Sequence, residues 1–304
     1  MDLMAQTIQS RAKRLIKLQI SLIVFATSCF WDVMRRIAGR LTTCQCVVFY
    51  YHSLPTEQRG RFAHQMDLLV RWAQPIPADI RTPLLPNKRY AAVTFDDGFE
   101  NVVENALPEL RKRNIPATFF ITSGSLGQYP SWWSNSANSE RNERILSAEQ
   151  LRELPGDIVL VGSHTLTHPF LPSLSRQEAR KELSESRTQL RELLNREITL
   201  FSFPHGGFDE QLIQLCRQAG YERVFTTLPR LALQDSQEFV TGRVSVDPTD
   251  WDLEFLIKLL GGYRWLPFAF TLKRKLLRSS IMIGLGKLTK HTREQPDQVI
   301  ANRN

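Results

Sequence analysis

The chain has 304 residues, of which 42% are hydrophobic and 23% are charged. This composition is typical of globular proteins, and it excludes a disordered chain, a collagen-like repeat and a membrane protein with many spans. The net charge of +8 is uneven: residues 1–50 carry 7 basic and 2 acidic side chains, residues 258–304 carry 10 and 2, and residues 51–257 carry 22 and 27. An acidic body with basic ends argues against nucleic-acid binding and favours an anionic membrane surface as a partner of the ends.

The first predicted element is an apolar segment near the N-terminus. Residues 18–31 form a stretch of 14 residues without charge, with Arg11, Lys13, Arg14 and Lys17 before it and Arg35, Arg36 and Arg40 after it. A helix that spans a bilayer needs about 20 apolar residues, so this stretch favours another role. An interfacial helix, the apolar core of a signal peptide and an ordinary packed helix all fit, and residues 1–45 are predicted to form a segment of their own.

Strand-like and helix-like patterns alternate through the body of the chain, residues 46–254. The strands are predicted near 47–51, 90–95, 117–122, 158–162, 198–203, 223–227 and 239–246, and the helices over 60–74, 101–113, 147–154, 175–195 and 208–219. This alternation predicts an α/β fold with a parallel sheet or barrel. Residues 255–304 mix apolar and basic residues, which predicts a basic amphipathic helical extension.

Ionisable side chains follow several of the predicted strands, namely His52, Asp96, Asp97, His164 and His205. In α/β barrels the carboxyl ends of the strands surround the active site. One of the adjacent carboxylates Asp96 and Asp97, with His164 and His168, would bind a divalent metal and leave coordination positions open. Zinc suits such a donor set, and so do other borderline metals. The second carboxylate would take the proton from an attacking water.

Residues 94–98 (TFDDG) and 163–169 (SHTLTHP) resemble the first two motifs of the polysaccharide deacetylase family, also called NodB homology or carbohydrate esterase family 4. The positions of 51–53 (YHS), 115–120 (IPATFF) and 203–206 (FPHG) agree with the family's order. The resemblance covers about residues 46–250. It implies a distorted (β/α) barrel that removes acetyl groups from sugars with the help of a metal.

The resemblance also implies roles for individual residues. Asp97, His164 and His168 would bind the metal, and Asp96 would be the general base. The metal would polarise the acetyl carbonyl and supply the attacking water. A backbone N–H near residues 204–206 would help to hold the oxyanion.

The sequence departs from the family pattern at the third motif, which often has an arginine before its proline and a tyrosine after it. Arg243 is predicted to replace that arginine and orient Asp96, as in family branches with a Phe-x-x-Pro-x-Gly motif. The family's final Leu-x-x-His motif has no clear counterpart, so the general acid stays open between His205 and His52. The predicted substrate-binding residues are His52, Pro204, Trp133, which would stack on a sugar ring, and Trp251, which would line the acetyl pocket.

The sequence therefore predicts a metal-dependent hydrolase that removes acetyl groups, N-acetyl in preference, from a glycan or a lipid-linked saccharide. The alternative is a catalytically impaired carbohydrate-binding or membrane-surface scaffold that keeps the barrel. The basic ends predict peripheral membrane association, with the cytoplasmic face favoured over an exported form. No nucleic-acid partner is expected.

Overall fold

The computed structural model describes residues 2–40, 44–133 and 138–272, with side chains from residue 12 onward. The first helix, α1, spans Asp2–Ile37 and is far longer than the apolar stretch within it. Leu18 and Ser21 on this helix are buried. Residues 1–264 form one compact unit, so α1 packs with the body of the protein.

The body is built on one parallel sheet. Its strands are β1 (Gln45–Tyr51), β2 (Gln74–Pro75), β3 (Arg89–Phe95), β4 (Ala117–Ile121), β5 (Val159–Ser163), β6 (Leu200–Ser202), β7 (Arg223–Thr226), β8 (Val240–Gly242) and β9 (Val244–Ser245). Their order is β8-β7-β6-β5-β4-β3-β1-β9, and the short β2 also pairs with β3. Parallel pairing throughout brings the carboxyl ends of all the strands to one side of the sheet.

A single residue closes this sheet into a barrel. β8 pairs with β7, while β9 pairs with β1 at the opposite end of the strand order. Only Arg243 separates β8 from β9. The chain therefore changes its pairing partner at Arg243, and the guanidinium of this residue is fully buried. The predicted distorted (β/α) barrel is confirmed.

Helices cover the outside of the barrel. They are α2 (Arg59–Trp72), α3 (Leu107–Lys112), α4 (Ala148–Arg152), α5 (Arg176–Leu194), α6 (Glu210–Gln218) and α7 (Asp252–Leu259). Alternate strand residues such as Phe49 and Val93 belong to a large apolar cluster that includes residues of these helices. The residues between them, such as Val48 and Ala92, form a second cluster with Phe120 and other strand residues. Such alternation is expected of strands that are buried on both faces.

Each element predicted for the body has a counterpart, and the differences are local. The helix predicted over 101–113 begins with a wider π-helical turn at Val102–Ala106. Pro108 follows this turn and has no amide hydrogen to donate back into it. The strand predicted near 239–246 is divided at Arg243 into β8 and β9.

The predicted boundary at residue 254 falls within α7, which belongs to the compact unit that ends at Arg264. Phe255 on this helix is buried, and its ring packs 5.3 Å from that of Phe49. Residues 266–272 are helical and belong to a second unit. The rest of the basic extension predicted over 255–304, from residue 273 onward, lies outside the described residues.

Candidate active site

Three side chains from two strand ends converge at the top of the barrel. Asp97 follows β3, and His164 and His168 lie in the loop after β5. The Asp97 Oδ1 atom is 3.4 Å from Nε2 of His164 and 3.1 Å from Nε2 of His168. One donor atom from each residue lies within 4.8 Å of the others, and all three side chains are buried. This spacing suits a single metal ion.

The loops that carry these side chains have an unusual backbone. Asp97, Thr165 and His168 have φ values of 71°, 68° and 61°, a left-handed region that non-glycine residues rarely adopt. Gly98 also has a positive φ, and a Cβ atom there would lie 2.8 Å from Cδ1 of Ile121. Strained backbone of this kind concentrates at functional sites, where surrounding contacts hold it in place.

The donor set has the features that a bound cation requires. Both carboxylate oxygens of Asp97 are buried and accept no hydrogen bond of good geometry, although the two imidazoles approach Oδ1. Burial raises the pKa of Asp97, but the two neighbouring imidazoles together have a larger, opposite effect, so the net pKa lies well below the usual range. Nδ1 of His164 is 2.9 Å from the carbonyl oxygen of Ser202. Donation from Nδ1 to this oxygen leaves Nε2 with a lone pair for a metal. A buried ionised carboxylate that lacks well-formed hydrogen bonds fits a cation.

The loop between His164 and His168 is fixed by a residue that the sequence analysis missed. Glu182, on α5, accepts hydrogen bonds from the backbone amides of Leu166 and Thr167, each at 2.9 Å. The hydroxyl of Thr167 donates to the same carboxylate at 2.7 Å. Nothing local in the sequence marks Glu182, because it lies on an ordinary charged helix and acts only through the folded structure.

Asp96 lies beside this group in a different environment. Arg243 donates to its two carboxylate oxygens at 2.7 and 2.8 Å, and the same guanidinium donates to the hydroxyls of Thr94 and Ser202. Burial raises the pKa of Asp96, but the charge and hydrogen bonds of Arg243, together with the neighbouring His164 and His52, outweigh this effect and leave the pKa below its usual value. The side chain is therefore ionised at neutral pH and fixed in orientation.

A cavity of about 270 Å³ opens over both aspartates. Its lining residues are Tyr50, His52, Asp96, Asp97, Trp133, His164, His168, Phe203, His205 and Thr227. Three of the predicted substrate or acid residues, His52, His205 and Trp133, thus share one space with the predicted metal ligands. The indole nitrogen of Trp133 is buried without a hydrogen-bond partner. The neighbouring Trp132 stacks on the His168 ring, with centroids 4.3 Å apart.

His205 stands at the rim of the cavity. Its backbone has a positive φ of 55°, and its ring packs edge-on against His168 with centroids 4.6 Å apart. Burial lowers the pKa of His205, and the proximity of His164 lowers it further. His205 is therefore neutral at pH 7 in the protein without substrate.

Two predicted substrate-binding residues lie elsewhere. Pro204 is buried in the turn after β6 and does not line the cavity. Trp251 precedes α7 and lines a separate groove beside α2, where the guanidinium of Arg14 stacks over its ring at 4.5 Å. The structure therefore does not bring Trp251 to the two aspartates, because its side chain packs against α1 instead.

Comparison with known proteins agrees with this geometry. The family model for polysaccharide deacetylase matches residues 85–224, which include both aspartates and both histidines of the candidate metal group. Over this segment the barrel is similar to the polysaccharide deacetylases. Arg243 lies beyond the matched segment.

Individual proteins are similar to the chain in sequence or in fold. It is 25% identical over 186 residues to a poly-beta-1,6-N-acetyl-D-glucosamine N-deacetylase of Staphylococcus aureus, covering 58% of this chain and 60% of that protein. IcaB from Ammonifex degensii is 25% identical with a TM-score of 0.58, covering 72% of this chain and 100% of that one. The Streptococcus pyogenes deacetylase PplD, in complex with acetate, shares the fold with a TM-score of 0.59 at 20% identity, covering 72% of this chain and 99% of that one. The chain spans about half to three fifths of the length of the curated relatives it matches.

Proposed function

We propose that this protein is a metal-dependent hydrolase that removes acetyl groups, N-acetyl in preference, from a glycan or a lipid-linked saccharide. The observation that carries the proposal is the pair of adjacent aspartates in opposite environments. Asp97 faces two imidazoles with its oxygens unpaired, while Asp96 is paired with Arg243. One carboxylate is thus suited to binding a cation and the other to accepting a proton.

Asp97, His164 and His168 would hold the metal, and zinc is our first candidate because a set of one carboxylate and two imidazoles suits it. When bound, such an ion polarises a carbonyl oxygen and lowers the pKa of water. The separation of the three donor atoms, all within 4.8 Å of one another, supports this assignment.

Asp96 would take the proton of the attacking water as it adds to the acetyl carbon. A base whose pKa is kept low by Arg243 stays ionised at neutral pH and is ready to accept that proton. The bidentate pairing fixes the carboxylate, so that little reorganisation is needed at the moment of reaction. Arg243 would act as a positioning residue.

The oxyanion that forms on the acetyl group requires a hydrogen-bond donor. In the turn after β6, the amide of Gly206 donates to Phe203 and that of Gly207 donates to Pro204. Pro204 itself has no amide hydrogen. We therefore assign the donor role to the backbone amide of His205, whose residue lines the cavity.

The departing amine needs a proton, and His205 and His52 both line the cavity from which it would leave. We favour His205, because a negative oxyanion beside its ring would raise its lowered pKa at the stage when a proton is needed. Trp133 would bind the sugar, and its unpaired indole N–H could donate to a hydroxyl or carbonyl of the substrate.

The experiment that tests the proposal is acetate release from N-acetylglucosamine oligosaccharides by the zinc-loaded protein. Asp96→Asn should abolish release, while Asp157→Asn, a change at an exposed aspartate, should leave it unchanged. Equal release by wild type and Asp96→Asn would overturn the enzyme proposal. Sugar binding without release by any metal-loaded form would favour the scaffold alternative.

A further inference from the structure

One face of α1 lies along the body of the protein. The residues of this face are spaced by three or four positions and are buried or half-buried, namely Arg14, Leu18, Ser21, Phe25, Ser28 and Asp32. This spacing places them on one side of a helix. From Arg14 to Asp32 the face is about 27 Å long at 1.5 Å per residue. Contact with the body therefore extends over most of the apolar part of the helix.

A buried ion cluster fixes the beginning of this face. Arg14 donates to Glu254 Oε2 at 2.5 Å and lies 3.4 Å from Asp250 Oδ1. Lys258 lies 2.6 Å from Asp250 and 3.6 Å from Glu254. The two acidic side chains are each 7% exposed, so they depend on both cations for their balance of charge.

Polar contacts also fix the far end of the face. A guanidinium nitrogen of Arg264 contacts the hydroxyl of Ser28. The side-chain amide of Gln45, at the start of β1, donates to Asp32 at 3.2 Å. The helix is thus attached to the body near both Arg14 and Asp32.

The opposite face of α1 is apolar and exposed. Ile16, Ile23, Phe30 and Ile37 recur every seven residues and are 55%, 64%, 60% and 75% exposed. The exposed apolar surface is widened by four neighbouring residues of the helix, namely Leu15, Trp31, Val33 and Met34. Contiguous apolar surface of this kind marks an interaction site rather than ordinary solvent-facing surface.

The charges around this surface point to its partner. Lys13 and Lys17 are exposed near its beginning, and Arg35, Arg36 and Arg40 are exposed at its end. An apolar helix face flanked by basic side chains matches the acyl boundary and the anionic headgroups of a lipid surface. A second copy of the protein that packed on this face would place its own basic side chains beside these basic side chains, and the two copies would repel each other.

We propose that the outward face of α1 binds an anionic membrane surface, with the helix lying in the plane of the membrane and its inner face still packed on the body. Residues 12–37 are long and apolar enough to cross a membrane, by length and composition only. The same residues pack against the body, however. If α1 crossed the membrane, Arg14 would lose its contacts with Glu254 and Asp250. The in-plane orientation keeps every one of these contacts and is independent of the catalytic proposal.

Vesicle flotation tests the surface with the full-length protein. The protein should float with vesicles of 70% phosphatidylcholine and 30% phosphatidylglycerol, and bind at least tenfold less to pure phosphatidylcholine. The double variant Ile23→Ser, Phe30→Ser should lose at least tenfold in binding. The control Val70→Ser, Leu85→Ser, which changes exposed apolar residues outside α1, should bind like wild type. Equal loss in both variants, or dimerisation of wild type through this face in light scattering without vesicle binding, would overturn the proposal.

A second measurement separates the in-plane helix from a spanning one. With an epitope tag before residue 1 in protein expressed in cells, the tag and the body should be accessible to protease on the same side of the membrane. Tag and body on opposite sides would show that α1 crosses the membrane and would overturn the orientation. Acetate release measured in detergent solution reports on the catalytic proposal alone, so the two proposals fail separately.

Discussion

Arg243 and Asp96 form a two-pronged ion pair inside the barrel, although 147 residues separate them in the chain. The pair lies where β8 gives way to β9, so the residue that closes the barrel also holds the proposed base. The guanidinium is fully buried and packs 4.7 Å from the centre of the Tyr50 ring. Barrel closure and the protonation state of Asp96 therefore depend on the same side chain.

The pH dependence of activity should report this pairing. Burial raises the pKa of Asp96, and the charge and hydrogen bonds of Arg243 are the main part of the opposing effect that leaves this pKa below its usual value. Arg243→Lys keeps the positive charge but loses one of the two hydrogen bonds to Asp96. Arg243→Met loses the charge and both hydrogen bonds. We expect the acidic limb of kcat/KM to move to higher pH in Arg243→Lys and further in Arg243→Met. An unmoved limb in a folded Arg243→Lys protein would mean that Arg243 does not set the ionisation of Asp96.

The same variants should change stability in a defined pH range. Because the pKa of Asp96 is lower in the folded protein, its ionisation stabilises the fold above the unfolded pKa. This contribution is lost as the pH falls through the folded pKa. Arg243→Met leaves the carboxylate buried without its partner, at a cost of about 3–5 kcal/mol at neutral pH. Urea unfolding at pH 7 and pH 4 should show a smaller deficit at the lower pH.

Metal binding should depend on Asp97 and leave the fold intact. Asp97→Asn removes the anionic donor, so we expect no bound zinc by elemental analysis after dialysis. We also expect no rise in Tm when zinc is added, because a ligand stabilises only the form that binds it. Asp157→Asn is the matched control and should retain both effects. A zinc-dependent rise in Tm in Asp97→Asn would place the metal elsewhere.

The identity of the general acid can be resolved by the choice of leaving group. If His205 protonates the departing amine, His205→Ala should slow acetate release from an N-acetylated sugar by roughly 10²–10⁴-fold. It should slow hydrolysis of 4-nitrophenyl acetate much less, because nitrophenolate leaves without a proton. His52→Ala is the matched comparison. The opposite pattern in the two variants would assign the role to His52.

Much of this site was predictable because its residues stand in short motifs at strand ends. The site residues follow the ends of apolar strands in a pattern of alternating strands and helices, and parallel strands bring those ends together. These residues are Asp96, Asp97, His164 and His168. The contacts of Glu182, Ser202 and Trp132 were not predictable, because each depends on the three-dimensional path of a loop or helix. For Trp251 the sequence prediction was wrong, because it rested on a loose motif match. The Trp251 ring packs against Arg14 of α1, a helix that lies outside the family motifs.

Glu182 should control metal affinity without touching the metal. Its carboxylate accepts hydrogen bonds from two backbone amides of the His164–His168 loop. Glu182→Ala removes these hydrogen bonds, while the high helix propensity of alanine preserves α5. We expect roughly 10–100-fold weaker zinc binding by competition with a chelating dye, as for other residues that orient ligands. Glu185→Ala, an exposed change on the same helix, should have no effect. Unchanged affinity in Glu182→Ala would show that the strained loop holds its shape alone.

Gly162 on β5 should be irreplaceable for packing rather than for chemistry. A Cβ atom at this position would lie 2.5 Å from the Phe120 ring and 3.0 Å from the carbonyl oxygen of Leu200. Because Phe120 is fully buried, Gly162→Ala must displace its ring, and we expect a loss of about 1–3 kcal/mol in the free energy of unfolding. Gly156→Ala, where the nearest atom is a side-chain nitrogen of Arg196 at 3.6 Å, should change stability by less than about 1 kcal/mol. Urea unfolding monitored by circular dichroism measures both variants, and a wild-type midpoint for Gly162→Ala would show that Phe120 can move aside freely.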